Sequence, residues 1–228
     1  MRISAIVPVL NEAGAIEATL QALAPVRTAG GEVLIVDGGS VDDTVARARD
    51  LVDRVVASAP GRARQMNVGA AAASGDVLWF VHADTVADAW AARHLAVAAA
   101  RPGCRWGRFG VRLSGRHPLL RVVAVLMNLR SCLTGIATGD QGIFVRRGLF
   151  EQVGGFPDIP LMEDIALCRT LRSRVRPLCL GVGLTTSSRR WEERGILRTI
   201  ALMWCLRWAY WRGADPVHLA RRYRGDAA

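Results

Sequence analysis

Three apolar runs in the first 90 residues each end abruptly in polar groups of the kind that bind ligands. A segment of helix-forming composition follows each run, which indicates βα units of a parallel sheet. The carboxyl ends of parallel strands meet at one crevice, where open α/β sheets bind ligands. Carboxylates and small turn residues at such a crevice favour a nucleotide and a divalent cation. The runs and the polar residues that follow them are Ile3–Leu10 before Asn11, Val33–Val36 before Asp37, and Val77–Val81 before His82.

The composition is that of a folded globular protein and disfavours a nucleic-acid partner. The chain has 228 residues, of which 51% are hydrophobic, and this is enough for one large domain with a substantial core. Its net charge of +10 comes entirely from arginine, because the sequence contains no lysine. Basic proteins bind nucleic acid, anionic lipid or phosphorylated small molecules, but acidic residues are interleaved with these arginines. We therefore expect no nucleic-acid partner.

Cysteine usage and the start of the chain predict a cytoplasmic protein. The five cysteines are widely spaced and include no C-x-x-C pair, which argues for a reducing compartment without disulfides or structural zinc. A strand begins at Arg2, which leaves no room for a signal peptide. Peripheral attachment to the inner face of the membrane stays open.

Apolar periodicity and breaker residues predict an alternation of helices and strands. We expect an α/β domain over residues 1–190, with a nucleotide-binding half at 1–100 and an acceptor half at 101–190, and then an apolar helix and basic tail over 191–228. The predicted helices are Ala13–Ala24 (ended by Pro25), Asp42 or Asp43 to Arg49, the later part of Gly61–Ala73, Ala87–Ala100, Leu119–Leu133, Met162–Arg172 and Ile196–Trp211. The further predicted strands are Arg54–Ala57, Trp106–Leu113 and Ile143–Arg146.

Asp84 is the best candidate for a metal ligand. Mg²⁺ and Mn²⁺ need hard oxygen ligands and commonly use one or two carboxylates together with substrate phosphates. Asp84 follows a strand and precedes the hydroxyl of Thr85, which suits a cation that bridges a diphosphate. His82 lies on the same side of an extended chain, so it is a second candidate ligand. The alternatives are a helix cap for Asp84 and a structural histidine for His82.

Asp37 and Ser40 stand where a βα loop contacts a base or a ribose. A carboxylate there accepts hydrogen bonds from an imide N–H or from sugar hydroxyls. The alternative for Asp37 is a turn with Gly38 and Gly39. The segment of Asn11 and Glu12 is likewise either a ligand contact or the start of a helix.

The segment Gly61–Asn67 offers two arginines, Arg62 and Arg64, at the entrance of a helix. This is a natural place for diphosphate oxygens. The segment lacks the lysine and hydroxyl residue of a Walker loop. An exposed basic helix end is the alternative.

Glu163 and Asp164 are the best catalytic candidates, because they begin an otherwise apolar helix. The helix dipole keeps a carboxylate ionised, as a general base requires, although the same dipole explains acids at a helix start without catalysis. Asp140 and Gln141 either bind the acceptor or form a turn.

The C-terminal region supplies two more features. Arg190 and Trp191 either close over a diphosphate or sugar, or form the turn before the last helix. That helix, Ile196–Trp211, is apolar on all sides and is expected to lie between two surfaces. One surface is the domain core, and the other is a second subunit, which we favour, or a membrane interface. Arg198 and Arg207 argue against a membrane span.

Together these motifs resemble the family 2 glycosyltransferases, and the resemblance covers nearly the whole chain. Each motif is weak alone, but their order and spacing agree. The loop at 61–67 and the 82–85 motif further resemble a bacterial subgroup, the radical-SAM/selenodomain-associated or arsenosugar-biosynthesis glycosyltransferases. The segments that carry the resemblance are Pro8–Glu12, Val36–Thr44, Val81–Asp84 and Glu163–Asp164.

The resemblance implies a GT-A fold, a nucleotide-diphosphate sugar donor (a UDP-sugar by expectation), Mg²⁺ or Mn²⁺, and inversion at the anomeric carbon. It implies that Glu12 and Asp37 contact the nucleoside, that Asp84 is the final acid of the D-x-D motif, and that Asp164 of the E-D motif is the base. The other residues expected at the donor are Pro8, Asn11, Ser40, Arg62, Arg64, Asn67, Ala83 and Arg190. Those expected at the unknown hydroxyl acceptor, a small molecule or lipid, are Asp140, Gln141 and Trp191.

Two residues depart from the family pattern. His82 stands where the first acid of D-x-D is usual, which puts metal dependence in question. Gly38 replaces the second acid of D-D-G-S and removes one ribose contact. The chain lacks the long membrane spans of processive synthases, so we expect the transfer of a single sugar.

Two other functions compete with glycosyl transfer. A sugar-phosphate nucleotidyltransferase would place a Gly-rich basic loop directly after the first strand, where Pro8–Glu12 stands. A catalytically degenerate nucleotide-sugar-binding or membrane-docking protein is favoured by the missing first acid and disfavoured by Glu163 and Asp164.

Overall fold

The computed structural model describes residues 1–225, except for the side chain of Val182. Over these residues the chain forms one eight-stranded mixed sheet flanked by helices. The strands are β1 Ile3–Val9, β2 Glu32–Asp37, β3 Arg54–Ala57, β4 Val77–Phe80, β5 Thr85–Ala87, β6 Trp106–Leu113, β7 Phe144–Arg146 and β8 Leu178–Thr186. The order across the sheet is β3-β2-β1-β4-β7-β6-β8-β5.

The helices follow the strands on both faces of the sheet. They are α1 Ile16–Thr28, α2 Thr44–Ala48, α3 Arg62–Ala72, α4 Ala91–Ala100, α5 Pro118–Thr134, α6 Arg147–Gln152, α7 Glu163–Arg174, α8 Arg189–Arg194, α9 Ile196–Trp211 and α10 Pro216–Arg224. Short 3-10 turns lie at Arg49–Leu51 and Gly139–Gln141.

The first four strands form the parallel half of the sheet. β1 pairs in parallel with β2 and β4, and β2 pairs in parallel with β3. β1 and β4 are buried along their whole length, as expected for strands with helices on both faces. One face packs on α1 and α4 and the other on α3 and α6. The carboxyl ends of β1, β2 and β4 therefore meet at one edge, as the sequence predicts.

The second half of the sheet is mixed. β7 is antiparallel to β4 and β6, β6 is parallel to β8, and β8 is antiparallel to β5. β5 comes directly after β4 in the chain but lies at the far end of the strand order. The short segment 81–84 therefore connects β4 to the last strand in the sheet order, and Asp84 lies in this connection.

Several predicted elements differ from the structure. Pro25 lies inside α1 instead of ending it, because the buried side chains of Leu23 and Val26 hold that turn against the core. The predicted helix start at Ala87 is wrong, since residues 85–87 are a strand and the helix begins at Ala91. β8, α6 and α10 were not expected, and α10 occupies part of the predicted basic tail. Residues 226–228 of that tail lie outside the described residues.

α9 is buried on one side and open on the other. Leu206 is fully buried in a small cluster with Leu161 and Met162 of the domain and Leu219 of α10. The opposite face exposes three tryptophans, by 69% at Trp204, 62% at Trp208 and 74% at Trp211. The expected second covering surface is therefore not supplied by residues 1–225. None of the helices in this range has the length and apolarity that crossing a membrane requires.

Candidate active site

A large cavity opens at the edge where the parallel strands end. Its volume is about 760 Å³, which is in the range of cavities that hold a cofactor or nucleotide-sized ligand. The ends of β1 and β4 form its floor, the start of α3 forms one wall, and α8 and α10 form the opposite wall. The residues expected at a ligand that do line it are Pro8, Glu12, Arg62, His82, Ala83, Asp84, Asp140, Arg190 and Trp191.

Glu12 and Asp84 bring two carboxylates to the floor of this cavity. Burial raises the pKa of Glu12, and the negative charge of Asp84 raises it further, while Arg189 and His82 act in the opposite direction. No residue among those described forms an ion pair with either carboxylate. The floor therefore carries negative charge that a bound cation would neutralise.

Asp37 and Ser40 form a turn and do not line the cavity. Both carboxylate oxygens of Asp37 accept a hydrogen bond from the Ser40 backbone N–H, at 3.0 and 3.2 Å. The Ser40 hydroxyl accepts one from the backbone N–H of Asn11, whose side chain in turn accepts one from the N–H of Val41. Asp37 therefore forms a turn, which was the alternative to a ligand contact. The side chains of Asn11, Asp37 and Ser40 fix the loops after β1 and β2 to each other.

Gln65 is a site residue that the sequence reasoning missed. Its side-chain nitrogen donates to the carbonyl oxygens of Val9 and Val36, at 2.8 Å each, and so fastens α3 to the ends of β1 and β2. A Cβ on Gly38 would lie 3.1 Å from the Gln65 carboxamide. Gly38, the departure from the usual acid, leaves room for this contact. The signal was a polar residue at a buried helical position.

The two arginines of the α3 entrance have different surroundings. Arg62 lies at the cavity with its Nε 3.5 Å from a carboxylate oxygen of buried Glu163. Burial lowers the pKa of Arg62, but Glu163 and other nearby acids raise it, with a net rise. Arg64 pairs instead with Asp158 at 2.8 Å and does not line the cavity. Of the two arginines expected at the diphosphate, Arg62 lines the cavity and Arg64 does not.

Asn67 and Gln141 have packing roles. Asn67 donates to the carbonyl of Phe156 and accepts from its N–H, at 2.7 and 2.9 Å, and so fixes the turn before α7. Gln141 is fully buried, and its side-chain nitrogen donates to Ser131 and Asn128 of α5. Neither side chain lines the large cavity, so the donor role expected of Asn67 and the acceptor role expected of Gln141 stay predictions.

His82 joins the two halves of the site. Its Nδ1 lies 3.2 Å from a carboxylate oxygen of Asp140. Its Nε2 is buried without a hydrogen-bond partner among the described residues, and a Cβ on Gly139 would lie 2.2 Å from it. Nδ1 is thus occupied by Asp140, whereas Nε2 packs against the backbone of Gly139. Burial lowers the pKa of His82, but the hydrogen bond and charge of Asp140 raise it, with a net rise.

Asp164 lies beyond this contact, in a smaller cavity of about 100 Å³ that shares lining residues with the larger one. Its two oxygens accept hydrogen bonds from the backbone N–H groups of Gly139 and Ile165, at 2.9 and 2.7 Å. These bonds orient the carboxylate at the start of α7. The turn that holds His82 therefore also positions Asp164.

The C-terminal helices close the cavity. The guanidinium carbon of Arg190 lies 3.9 Å from the ring centroid of Tyr223 on α10. Arg194 donates to the backbone carbonyl of Tyr223 at 3.0 Å and so ties α8 to α10. Tyr223 lines both cavities. It was not predicted, because nothing in the basic tail distinguishes it before the tail folds back.

No group of three or more histidine, cysteine or acidic side chains among residues 1–225 is arranged to hold a metal ion alone. Asp84 beside Glu12 is compatible with a cation that takes its other ligands from substrate phosphates.

The sequence model of glycosyl transferase family 2 matches residues 4–151. The chain belongs to glycosyl transferase family 2. The family and the GT-A type of α/β fold predicted from the sequence are thereby confirmed, and the family is one of glycosyltransferases. The matched part contains β1 to β7, with Glu12 and Asp84, and ends before Asp164. No curated protein sequence matches the chain significantly.

Two solved structures have a similar fold. Residues 1–349 of TarS from S. aureus are 20% identical with a TM-score of 0.65, over 82% of this chain and 61% of that chain. Glucosyl-3-phosphoglycerate synthase from Mycobacterium tuberculosis is 24% identical with a TM-score of 0.61, over 80% of this chain and 70% of that chain. The family 2 chain thus spans less than two thirds of the TarS fragment. At these identities the likeness establishes the fold.

The His82–Asp140 pair predicts a specific pH response. Asp140→Asn should lower the pKa of His82, because burial then acts without the carboxylate that opposes it. NMR titration of the His82 ring protons measures this change, with His94, His117 and His218 as internal references. An unchanged His82 pKa would refute the pairing.

The same pair sets a window of stability. The pKa of His82 is raised above 6.5. Its contribution to the free energy of unfolding is therefore fully present below pH 6.5 and is lost as the pH rises through the pKa of the folded state. The pKa of Asp140 is lowered below 3.8, so its contribution is lost as pH falls through that folded value. The stability difference between wild type and Asp140→Asn should be largest between pH 3.8 and 6.5.

Proposed function

We propose that this family 2 protein transfers one sugar from a UDP-sugar to a hydroxyl acceptor with inversion at the anomeric carbon. The observation that carries the proposal is that the two cavities share lining residues, among them Arg62, His82 and Asp140, so that the acids at the strand ends and Asp164 line adjacent cavities. The M. tuberculosis synthase of similar fold was crystallised with Mn²⁺ and UDP, and TarS with UDP-GlcNAc. These ligands support a UDP-sugar as the donor. Membership of the radical-SAM/selenodomain-associated subgroup stays a prediction.

The donor end would hold the nucleotide diphosphate through charge. Arg62 and Arg190 face the large cavity from opposite walls and suit diphosphate oxygens. Glu12 and the loop that Asp37 fixes would border the nucleoside. Asp84, with the neighbouring charge of Glu12, would hold Mg²⁺ or Mn²⁺. When bound, such an ion stabilises the charge that develops on the leaving diphosphate.

Asp164 would act as the general base. The acceptor hydroxyl gives its proton to a carboxylate oxygen of Asp164 while its oxygen forms a bond to the anomeric carbon. The bond from that carbon to the diphosphate oxygen breaks, and the nucleoside diphosphate leaves with the electron pair. A base opposite the leaving group gives inversion in one displacement. Glu163, buried against Arg62, would keep that arginine in place rather than touch the substrate.

The donor site predicts metal-dependent nucleotide binding. Calorimetric titrations with UDP and with GDP, each with and without Mn²⁺, should show that UDP binds more tightly than GDP and that Mn²⁺ strengthens the binding of UDP. Asp84→Ala should weaken this binding by about tenfold or more, the usual loss for a charged contact of about 1.5–3 kcal/mol. Asp88→Ala is the matched control, because Asp88 pairs with Arg112 instead of facing the cavity. No binding of either nucleotide by folded protein would favour the degenerate-site alternative.

Asp164→Asn should retain UDP binding and lose transfer by about 10²–10⁴-fold, which is the typical contribution of a general base. Asp158→Asn is the control, since Asp158 is exposed and pairs with Arg64. Release of nucleoside diphosphate from a UDP-sugar, in the presence of candidate acceptors, measures both variants. Wild-type turnover by Asp164→Asn would exclude it as the base, and pyrophosphate release from a nucleoside triphosphate would instead indicate a nucleotidyltransferase.

The exposed face of α9 is the proposed partner surface, and a second copy of the chain is the favoured occupant. Tryptophan is enriched where protein surfaces associate. α5 also exposes aliphatic side chains, among them Leu126 by 57% and Leu133 by 77%.

Sedimentation velocity should give a dimer for wild type and a monomer for a variant with both Trp204→Ser and Trp208→Ser. Val97→Ser, a change at an exposed apolar position on α4, should leave the dimer intact. A wild-type monomer that binds anionic vesicles through these tryptophans would assign the surface to lipid instead.

A further inference from the structure

The small cavity at Asp164 contains an arginine whose charge is not paired. Arg207 enters it from α9, next to Asp164, Gly139 and Met203. Within the part of the chain that the structure describes, no carboxylate oxygen lies within ion-pair distance of Arg207. Burial lowers the pKa of Arg207, while Asp164 and Asp140 act in the opposite direction. The cavity thus has a desolvated cation beside the proposed base.

A second arginine reinforces this positive charge from α5. Arg130 donates from Nη1 to the carbonyl of Ile136 at 3.1 Å. Its Nη2 is buried and has no hydrogen-bond partner among the described residues. Burial lowers the pKa of Arg130 to about 10, and Arg207 is the neighbouring charge that lowers it most. The two guanidinium groups therefore repel each other, and among the described residues neither forms an ion pair with the nearby Asp164 carboxylate or with any other acid.

The hydrogen bonds of Arg130 and of nearby Arg108 go to backbone carbonyl oxygens and not to a carboxylate. Arg108, a third and almost fully buried arginine, donates to the carbonyls of Phe109 and Asn128. Carbonyl oxygens satisfy N–H groups but leave the net charge of the guanidinium in place. An unpaired buried charge is costly, and a bound anion removes that cost. The unused donor on Arg130 and the unpaired charge of Arg207 are both features of an anion site.

We propose that the acceptor carries a phosphate group, which Arg207 binds in the small cavity while the acceptor hydroxyl lies at Asp164; Arg130, which does not line the cavity, adds positive charge from behind it. The inference deepens the proposed function, on which it rests for the role of Asp164. Phosphate suits two guanidinium groups, because its oxygens accept several charge-assisted hydrogen bonds at once. The arginines also offset the repulsion that the Asp164 carboxylate would exert on the phosphate. The substrate class is thus a phosphorylated alcohol.

The test is a phosphorus NMR titration of the full chain with inorganic phosphate, without UDP and again with UDP and Mg²⁺. Arg207→Gln should weaken phosphate binding by about tenfold or more, the cost of losing a charged hydrogen bond. Arg130→Gln should weaken it in the same direction, and Arg207→Lys should retain part of it. Arg198→Gln is the matched control, because Arg198 lies exposed on α9, away from both cavities. Thermal unfolding checks that each variant is folded.

The outcomes separate this inference from the proposed function. Equal phosphate affinity of wild type and Arg207→Gln, or no binding by wild type, would overturn the anion site even if UDP binds normally. Phosphate binding that depends on Arg207, in a protein that does not bind UDP, would support the anion site and refute the donor site. The UDP affinity of Arg207→Gln should match that of wild type.

Two further probes identify the source of the phosphate. Glycerol 3-phosphate represents a soluble phosphorylated alcohol, and phosphatidylcholine vesicles with and without phosphatidic acid represent a lipid headgroup. Binding of either probe that is lost in Arg207→Gln supports the inference and assigns the acceptor to that source. Failure of both probes to bind wild-type protein would contradict it.

Discussion

The contact between His82 and the Gly139–Gln141 turn is the constraint on which the site depends. His82 ends the parallel half of the sheet, whereas the turn belongs to the mixed half. The ring packs on Gly139, pairs with Asp140, and leaves no space for a Cβ at position 139. The N–H of the same glycine bonds Asp164. A shift of the histidine would therefore move the acid at the base position relative to the strand ends, although the two are 82 positions apart in sequence.

Charge is distributed unevenly along the two adjacent cavities. In the middle of the site Glu163 lies beside Arg62 and Asp140 beside His82, so each of these two acids has a nitrogen partner. Among the described residues, the carboxylates of Glu12 and Asp84 at one end and the guanidinium group of Arg207 at the other form no ion pair. The first end suits a cation and the second an anion. A donor diphosphate with its bound metal would therefore be attracted to the end with Glu12 and Asp84. An acceptor with a phosphate group would be attracted to the end with Arg207.

The sequence predicts the parallel half of the fold well because its strands are continuous buried runs, whose ends place Glu12 and Asp84 without further information. The mixed half depends on pairing between distant segments. β5 has three residues, which form a strand only by pairing with β8, about 100 positions later. The glycines at 181 and 183 interrupt the apolar pattern by which β8 could be recognised in the sequence. Spacing also cannot distinguish a ligand contact from a turn at Asp37, since either use needs the same carboxylate. Tyr223 and Arg207 reach the site only because the C-terminal helices fold back over it.

Both departures from the family pattern have a partner elsewhere in the chain. Where a D-x-D motif would add an acid, His82 instead contacts an acid from a distant turn, so that the carboxylate of Asp140 lies near the site with the imidazole as its partner. Where a second acid would follow Asp37, Gly38 leaves the room that the Gln65 carboxamide needs to join two strand ends. Each change removes a negative charge from the donor end and adds a contact that fixes a loop. A metal ion bound there would depend on Asp84 with the neighbouring charge of Glu12, while contacts within the protein, such as those of Gln65 and His82, fix the loops of the site.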